Sequence, residues 1–298
     1  MDVSIIIVNY NTLELTKDCL ESIFEKTKGL LFEVILVDNA STDGSIEYFS
    51  KKDDRITFLE ANENLGFGKA NNLGLKQAKG KYIFFLNSDT LLVNNAIKEF
   101  FDYAESYTGK VGAIGCLLTN NEGQIIHSYS SFPSINWAFK SVIIAHIYKY
   151  LFKKDYKLYD KTNDDVSKPV FHVDYVTGAD LFVERKVVEE CGAFDPDFFM
   201  YYEETEMQHR WAKRGYLSYI IKTPQIIHLE GGSQDKSRHF RTDKFIRSFK
   251  SEKLYFKKTK SKFEYVLFRL SALIYVFVFI KNRISMNDFC RAVKSLIK

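Results

Sequence analysis

The first 90 residues alternate between short apolar runs and helical patterns, and this alternation limits the possible folds more than any other feature of the chain. The apolar runs are rich in β-branched and aromatic residues, as is typical of strands buried on both faces of a parallel sheet. These runs are 3–8, 32–37, 56–59 and 82–86. Helical patterns alternate with them at 12–24, 46–49 and 68–79. The sequence therefore predicts an α/β fold with a mixed, mostly parallel sheet flanked by helices.

The rest of the chain continues these patterns less regularly. Further strands are predicted at 111–118, 173–183, 217–221 and 225–228, with a short candidate at 125–126, and further helices at 137–154, 185–191 and 203–214. Gly192 is expected at the C-cap of one helix, because glycine readily adopts the left-handed conformation. Residues 157–168 are polar and predict a loop. From residue 242 the pattern is helical, with a capping box expected at Ser285 and Asp288.

The net charge of +4 hides a strong asymmetry. Residues 236–298 contain 17 Lys and Arg against 4 Asp and Glu, a net charge of +13, which leaves −9 on residues 1–235. A basic tail on an acidic body usually has an anionic partner, either nucleic acid or a membrane surface.

The cysteines and the N-terminus indicate the compartment. Cys19, Cys116, Cys191 and Cys290 are scattered without a CxxC spacing, which argues against a disulfide scaffold or a structural zinc site and fits a reducing environment. The first residues, MDVSIIIVNYN, hold an acid and only a short apolar run, so no signal peptide is predicted. We therefore expect a cytoplasmic protein.

Three clusters of acids and amides follow predicted strands, where ligands bind in parallel α/β sheets. They are Asn9-Tyr10-Asn11, Asp38-Asn39 and Asn87-Ser88-Asp89. A dinucleotide-binding GxGxxG after the first strand is absent, and so is a P-loop. Hydride transfer and P-loop chemistry are therefore poorly supported.

Five motifs in order resemble family 2 glycosyltransferases. They are VSIIIVNYN, VDNASTDGS, NENLGFGKANNLGL, FFLNSDT and GADLFVERKVVEECGAFDPDFFMYYEE. The similarity covers roughly residues 3–232 and is greatest to the bacterial rhamnosyltransferase-like branch. It implies a GT-A fold, a nucleotide-sugar donor and inversion at the anomeric carbon. Residues 1–235 are accordingly expected to form a GT-A catalytic domain, and residues 236–298 a helical appendage.

The resemblance implies that the donor binds at the strand ends. Asp38 matches an Asp that accepts a hydrogen bond from the pyrimidine base, although it could instead cap a turn. Asn87-Ser88-Asp89 occupies the place of the DxD motif, with Asn in place of the first acid. Asp89 would carry the main protein charge on a divalent cation, Mn²⁺ or Mg²⁺, that neutralises the diphosphate. Further donor contacts are expected from Asn9, Asn11, Asn39, Gly66, Asn71 and Asn87.

The acids after FFMYY are candidates for the catalytic base, which must deprotonate the acceptor hydroxyl. The family usually has Glu-Asp-x-Asp here, whereas this chain has Glu203-Glu204-Thr205-Glu206. Glu204 matches the usual base and Glu203 is the second candidate. Glu206 and Arg210 are expected near the acceptor, although their i,i+4 spacing also favours an ion pair within the helix. Asp180, in the motif GAD, is expected at the acceptor-side wall.

His228, in IIHLEGGS, matches a histidine that completes the metal site in many GT-A enzymes. A neutral imidazole suits Mn²⁺ better than Mg²⁺. Gly231-Gly232-Ser233 would begin a loop that closes over the donor.

The basic tail predicts contact with an anionic membrane surface. The apolar stretch 263–280 is interrupted by Glu264 and Arg269, so an interfacial helix is favoured over a membrane span. Lysines at 257, 258, 260 and 262 would lie at the headgroups. The segment 137–154 has a similar composition. Packing against the core or another subunit is the alternative for both, and no nucleic-acid recognition motif is present.

Together these features predict a peripheral membrane enzyme on the inner face of the cell membrane. It would transfer rhamnose or a similar hexose from a dTDP- or UDP-sugar to a polyprenyl-diphosphate-linked glycan in cell-surface polysaccharide synthesis. Two alternatives are a sugar-nucleotide pyrophosphorylase and an inactive transferase-like membrane adaptor. A pyrophosphorylase would need a Gly-rich, Arg-containing loop after the first strand, which this chain lacks. An inactive adaptor would be expected to have lost Asp89 or the Glu cluster, and both are present.

Overall fold

The computed structural model describes residues 1–51, 53–135, 167–229, 242–277 and 285–297. The predicted helix at 137–154, almost all of the loop at 157–168 and the segment 231–233 lie outside these ranges. The chain divides into two units. The first comprises residues 1–131, 165–199 and 203–235, and the second comprises residues 132–164, 200–202 and 236–298.

The described residues contain the following strands and helices, each numbered in chain order. The strands are β1 (Val3–Asn9), β2 (Phe32–Asp38), β3 (Ile56–Glu60), β4 (Tyr82–Asn87), β5 (Thr90–Leu92), β6 (Val111–Cys116), β7 (Tyr129–Ser130), β8 (Val170–Val173), β9 (Tyr175–Val176), β10 (Asp180–Glu184), β11 (Leu217–Ile221) and β12 (Ile226–His228). The helices of the first unit are α1 (Leu13–Lys26), α2 (Ser45–Phe49), α3 (Phe67–Leu75), α4 (Ala96–Ser106), α5 (Arg185–Cys191) and α6 (Glu203–Ala212). Those of the second are α7 (Thr242–Thr259), α8 (Lys262–Tyr275) and α9 (Met286–Ile297).

One eight-stranded sheet forms the centre of the first unit, in the order β3-β2-β1-β4-β10-β6-β11-β8. Strands β3, β2, β1 and β4 are parallel, β10 runs antiparallel between β4 and β6, and β11 is parallel to β6. The predicted mixed, mostly parallel sheet is therefore confirmed. Asn9 lies opposite Asp38, and Val8 lies opposite Asn87, so the polar ends of three strands meet at one edge.

Both faces of the sheet are buried, as the uninterrupted apolar runs predicted. Ile5, Ile7 and Phe84 belong to one core cluster, whereas their neighbours Ile6 and Phe85 belong to the other. Alternate side chains of a strand point to opposite faces, so burial on both sides requires an apolar residue at nearly every position.

Several predicted elements differ from the structure. The strand character predicted at 173–183 is divided among parts of β8, β9 and β10, which pair with β11, with β7, and with β4 and β6. Helix α3 ends at Leu75, short of the predicted residue 79. Helix α4 and strand β5 were not predicted. By contrast, α5 and β11 have the predicted bounds, and Gly192 follows α5 at φ 86°.

In the described part of the second unit, three helices pack around aromatic rings. Phe268 of α8 stacks on Phe249 and Phe256 of α7, with ring centroids 5.5 and 4.2 Å apart. The predicted capping interaction at Ser285 is present, since its hydroxyl accepts from the Asp288 backbone N–H at 3.1 Å. Ser261 and Glu264 form a second capping box at α8. Within the described ranges, no helix is both long and apolar enough to cross a bilayer.

Candidate functional site

The polar clusters that end β1, β2 and β4 are joined by hydrogen bonds. The Asn9 amide donates to Asp38 Oδ2 at 2.6 Å and to Ser41 Oγ at 3.1 Å. The Thr12 hydroxyl donates to Asn9 Oδ1 at 2.7 Å and lies 3.1 Å from Ser88 Oγ. The edge of the sheet is thus held by a connected polar network.

Asp38 lies inside this network and has no solvent exposure. Its Oδ1 accepts from the Ser41 backbone N–H at 2.8 Å, and its Oδ2 accepts from Asn9. A pyrimidine base could reach this carboxylate only if the loop at residues 38–41 opened. The observed hydrogen bonds give Asp38 a structural role, which is to order this loop. Contact with a pyrimidine stays a prediction.

Asn11 is the exposed amide of the first cluster, in contrast to the buried Asn9. It is exposed and adopts φ 55°, and its Oδ1 accepts from the Thr42 N–H at 2.7 Å. Positive φ is uncommon outside glycine, and Asn tolerates it better than most residues. The loops after β1 and β2 are therefore tied together, with Asn11 at the solvent boundary.

The glycine-rich segment before α3 packs against the protein itself. Gly66 has φ 80°, and a Cβ built there would lie 2.0 Å from the Phe199 carbonyl oxygen, which accepts from the Phe67 N–H at 3.0 Å. Asn39 donates to Asn64 Oδ1 at 3.1 Å, and the buried Asn71 donates to the Phe67 carbonyl oxygen at 3.1 Å. The sequence predicts that Gly66 contacts the donor. The close approach found here is instead to Phe199, and the donor contacts of these residues stay predictions.

Asp89 and His228 are brought together by the short ribbon of β5 and β12. His228 lies opposite Thr90 in this ribbon, and the Leu229 N–H donates to the Asp89 carbonyl oxygen at 2.9 Å. Asp89 Oδ1 is 3.1 Å from His228 Nε2, which is 3.4 Å from the Asn87 amide nitrogen. Three predicted site residues thus converge beyond the end of β4.

The side chains of Asp89 and His228 fit a divalent cation whose other coordination positions are filled by a bound ligand. One carboxylate oxygen and one imidazole nitrogen suit Mn²⁺, and both side chains are partly accessible, at 17% and 15%. The described residues contain no cluster of three or more His, Cys, Asp or Glu able to hold a metal. A cation here would therefore need the remaining positions to be filled by phosphate oxygens or water.

The acidic cluster begins helix α6 and directly follows two residues with strained backbone conformations. Tyr201 and Tyr202 have φ of 73° and 68°, a conformation that is unusual for bulky residues and is often retained at functional sites. Glu203 is only 3% exposed, whereas Glu204 is partly accessible. Burial raises the pKa of Glu204, which is the direction expected of a carboxylate that accepts protons.

A chain of contacts connects Glu204 with the end of β4. A Cβ built on Gly178 would lie 3.8 Å from the Glu204 Cβ and 3.1 Å from the Phe67 ring. The next residue, Ala179, accepts at its carbonyl from the Asn87 N–H at 3.0 Å. The predicted base is therefore one short loop away from the Asn87-Ser88-Asp89 segment.

Glu206 and Arg210 form an ion pair within α6. Arg210 Nε lies 2.8 Å from Glu206 Oε1, and its two terminal nitrogens each donate, at 2.6 Å, to the carbonyl oxygens of Cys191 and Ala193. Through these bonds Arg210 connects α6 with the last residue of α5 and with the chain just after it. The acceptor contacts predicted for both residues stay predictions, while the observed bonds give them a structural role.

Asp180 is completely buried at the start of β10. Its Oδ2 accepts from the Cys116 N–H at 2.7 Å, and burial raises its pKa to about 7. The observed hydrogen bond and burial give Asp180 a structural role, and its predicted contact at the acceptor wall stays a prediction.

Sequence reasoning missed several residues that shape this site. Thr12, Ser41 and Ser88 complete the polar network, and Gln208 pairs with Val176 by accepting from its N–H at 2.8 Å and donating to its carbonyl at 2.7 Å. Thr12, Ser41 and Ser88 stand within or next to motifs, which was an available signal. Gln208 gave none, because its partner strand could not be assigned from the sequence.

Comparison with known proteins shows sequence relatives. The family described as "Glycosyl transferase family 2" matches residues 4–166. The N-acetylglucosaminyl-diphospho-decaprenol L-rhamnosyltransferase of Mycobacterium tuberculosis (strain ATCC 25618 / H37Rv) is 24% identical over 220 residues, which are 69% of this chain and 70% of the relative.

Two solved structures are similar in fold. S. aureus TarS 1–349 in complex with UDP-GlcNAc has a TM-score of 0.58 at 15% identity, over 100% of this chain and 81% of that chain. The mannosyltransferase PcManGT from Pyrobaculum calidifontis, in complex with GDP-Man and Mn²⁺, has a TM-score of 0.56 at 17% identity, over 99% of this chain and 79% of that chain. At these identities the likeness concerns the fold alone.

Proposed function

The chain belongs to glycosyl transferase family 2 and has the GT-A fold, and from this premise we propose the reaction that it performs. It transfers rhamnose or a similar hexose from a dTDP- or UDP-sugar to a glycan carried on a polyprenyl diphosphate, with inversion at the anomeric carbon. The similarity to a relative named as a rhamnosyltransferase acting on a diphospho-decaprenol acceptor supports both the sugar and the acceptor class. Such a reaction belongs to cell-surface polysaccharide synthesis.

The observation that carries this proposal is the convergence of Asp89, His228 and Asn87 beyond β4, one loop from Glu204. Transfer from a nucleotide sugar needs a positive charge at the diphosphate and a base at the acceptor hydroxyl. The pair of Asp89 and His228 supports the first requirement, and the raised pKa of Glu204 supports the second.

In the proposed donor site, Asp89 and His228 hold Mn²⁺ or Mg²⁺. The cation, when bound, neutralises the negative charge of the departing nucleoside diphosphate. The polar network at the sheet edge orders the loops around the nucleotide, and Asn11 and Asn87 are its accessible amides.

Glu204 is the proposed catalytic base. Its carboxylate takes the proton from the acceptor hydroxyl while the oxygen forms a bond to the anomeric carbon, opposite the breaking bond to the diphosphate. The positive charge that would otherwise build up on the attacking oxygen is thereby avoided, which contributes roughly 10²- to 10⁴-fold to the rate. Glu203 is nearly buried and therefore less able to reach an acceptor.

We also propose that the enzyme works at the inner face of the cell membrane. A lipid-linked acceptor confines the reaction to a bilayer surface, and the net charge of +13 on residues 236–298 supports attraction to anionic lipid. The alternative, association of two copies through the second unit, is disfavoured by this positive charge.

A donor screen tests the transfer reaction. Thermal unfolding should be measured with dTDP-rhamnose, UDP-sugars and GDP-mannose, each with Mn²⁺, with Mg²⁺ and with EDTA, followed by turnover with the donor that stabilises most. We expect a metal-dependent rise in Tm with a dTDP- or UDP-sugar, because a ligand that binds only the folded state stabilises it. If no nucleotide sugar raises Tm, the transferase proposal fails.

The variant Asp89→Ala tests the cation site, with Asp102→Ala on the exposed side of α4 as its matched control. The first substitution should abolish the metal-dependent part of the Tm rise, and the control should retain it. Unchanged metal dependence in Asp89→Ala would move the cation to other residues.

A further inference from the structure

Helix α8 exposes a continuous apolar stripe to solvent. Its members are Phe263, Val266, Leu270 and Ile274, with Phe277 just beyond the helix end, and they are between 49% and 71% exposed. At 3.6 residues per turn, these positions fall within an arc of about 80°. Scattered exposed apolar residues are ordinary, but five on one line form a patch, and such patches mark interaction surfaces.

The opposite face of α8 supplies the packing of the second unit. Phe268, Ser271, Ala272 and Val276 are buried there, and Phe268 stacks on the α7 rings. The exposed stripe is therefore not needed to hold α8 in place. The four stripe residues within α8 are available to a partner without rearrangement of the helix, whereas Phe277 also packs edge-on against Phe289 of α9, with ring centroids 5.1 Å apart.

Cations accompany the stripe, and the acid of α8 is kept away from it. Lys257, Lys258 and Lys262 are exposed at the end of α7 and the start of α8. Glu264 turns back to the N-terminus of its own helix, where its carboxylate accepts from Ser261 N at 3.1 Å and from Ser261 Oγ at 2.8 Å. An apolar face beside a basic margin is the pattern of helices that lie in the bilayer interface.

We propose that this stripe is the surface with which the protein inserts into a bilayer containing anionic lipid. The inference rests on the proposed function, since a lipid-linked acceptor requires the enzyme to work at such a surface, and it assigns the contact to one helix face. The helix lies parallel to the membrane, with Phe263, Leu270 and Ile274 among the acyl chains and the lysines at the phosphates.

A second copy of the chain is a less favourable occupant of the same face. In a symmetric dimer the same patch is used by both copies, so each copy would bring the same positive charge to the interface. Anionic headgroups instead complement that charge. The net charge of +13 on residues 236–298 favours the same partner.

The test compares the double variant Leu270→Gln/Ile274→Gln with a control, Leu31→Gln/Leu217→Gln. The control removes two exposed apolar side chains from the first unit, at 68% and 42% exposure. Binding of the full chain is measured by flotation with phosphatidylcholine vesicles, with and without phosphatidylglycerol. We expect the parent and the control to float with the anionic vesicles. The stripe variant should bind about 100-fold or more weakly, because each of the two large side chains withdrawn from an apolar phase loses about a factor of ten.

A second variant, Leu270→Trp, reports on insertion directly. Its added fluorescence should shift to the blue on binding and be quenched by lipids with brominated acyl chains. Circular dichroism, together with the donor-dependent Tm rise measured without vesicles, shows whether each variant is folded and still recognises its donor.

Three outcomes would overturn the inference. The parent could fail to float, the stripe variant could float as well as the parent, or the stripe variant could dissociate a dimer seen in size-exclusion chromatography. The donor-dependent Tm rise is measured without lipid, so failure of the insertion surface is distinguishable from failure of the proposed transfer reaction.

Discussion

At the scale of single residues, Glu204 and Glu203 offer a matched test of the catalytic base. They are adjacent in the first turn of α6, but only Glu204 is partly accessible. We expect Glu204→Gln to lower kcat by roughly 10²-fold or more with donor binding preserved, because the amide cannot accept the proton. Glu203→Gln should retain most of the activity. Loss of turnover in Glu203→Gln alone would transfer the role to that residue.

The pH dependence follows from the burial of Glu204. Burial raises the pKa of this carboxyl, so the base is protonated, and inactive, over a wider range of acidic pH than an exposed glutamate. The acid limb of the kcat profile should accordingly lie above the usual glutamate range, and steady-state rates across pH would measure it. A limb at the position of an exposed glutamate would contradict this assignment.

Asp180 gives a prediction about stability. Burial raises its pKa from 3.8 in the unfolded chain to about 7, so ionisation costs folding free energy increasingly as pH rises from about 4 to about 7. Asp180→Asn keeps an oxygen for the Cys116 N–H and removes that cost. Between about pH 5 and about pH 8, its advantage in free energy of unfolding over the parent should grow by roughly 2–3 kcal/mol.

The measurement for Asp180 is urea unfolding in EDTA at both pH values. Asp197→Asn serves as the matched control, because it makes the same substitution at an exposed position. An equal advantage of Asp180→Asn at both pH values would show that burial does not keep Asp180 neutral.

Sequence patterns located the residues of the candidate site better than they described their contacts. Strand ends predicted that Asn9, Asp38 and Asn87 would meet, because parallel strands place their carboxyl ends at one edge. The patterns could not show that both carboxylate oxygens of Asp38 accept hydrogen bonds from Ser41 and Asn9, since this depends on how two loops fold over each other.

At the scale of elements, substitutions at two helix N-cap glycines distinguish the cost of backbone strain from the cost of disturbed packing. Gly66 before α3 and Gly44 before α2 have similar positive φ, 80° and 88°. A Cβ on Gly44 meets nothing within 4 Å, whereas one on Gly66 would overlap the Phe199 backbone. Gly44→Ala should therefore cost only the strain of about 1–2 kcal/mol, and Gly66→Ala should cost clearly more.

Chemical unfolding of both glycine variants provides the comparison. Equal losses would mean that the segment around Phe199 moves away from α3 at little cost. A larger loss in Gly66→Ala, together with lower turnover, would show that the contact between α3 and the segment before α6 supports the site.

The elements differ in how far periodicity could identify them. The parallel strands were predictable because burial on both faces leaves a continuous apolar run. Strand β10 was placed in the right region but merged with β8 and β9, since an apolar sequence does not reveal a change of pairing partner. Strand β5 has only three residues and owes its conformation to pairing with β12, which lies far along the chain.

At the scale of the whole molecule, charge is divided along the sequence more sharply than composition suggests. The residues of the glycosyltransferase similarity lie in the acidic part, and the exposed stripe of α8 lies in the basic part. In our proposals, donor recognition and attraction to the membrane surface therefore depend on different residues. This separation predicts that ionic strength affects the two processes differently, because salt screens exposed charges most strongly.

The last prediction isolates the contribution of the basic part. Lys257→Gln/Lys258→Gln should weaken binding to vesicles containing phosphatidylglycerol by roughly 10- to 30-fold at low salt, since each lysine near such a surface contributes about 1 kcal/mol. Lys76→Gln/Lys213→Gln removes the same charge from exposed positions of the first unit and should bind like the parent. Raising the salt concentration should shrink the difference between the two variants, while the donor-dependent Tm rise stays the same in both. Equal weakening by both pairs would mean that net charge, and not its position in the chain, governs attraction to the membrane.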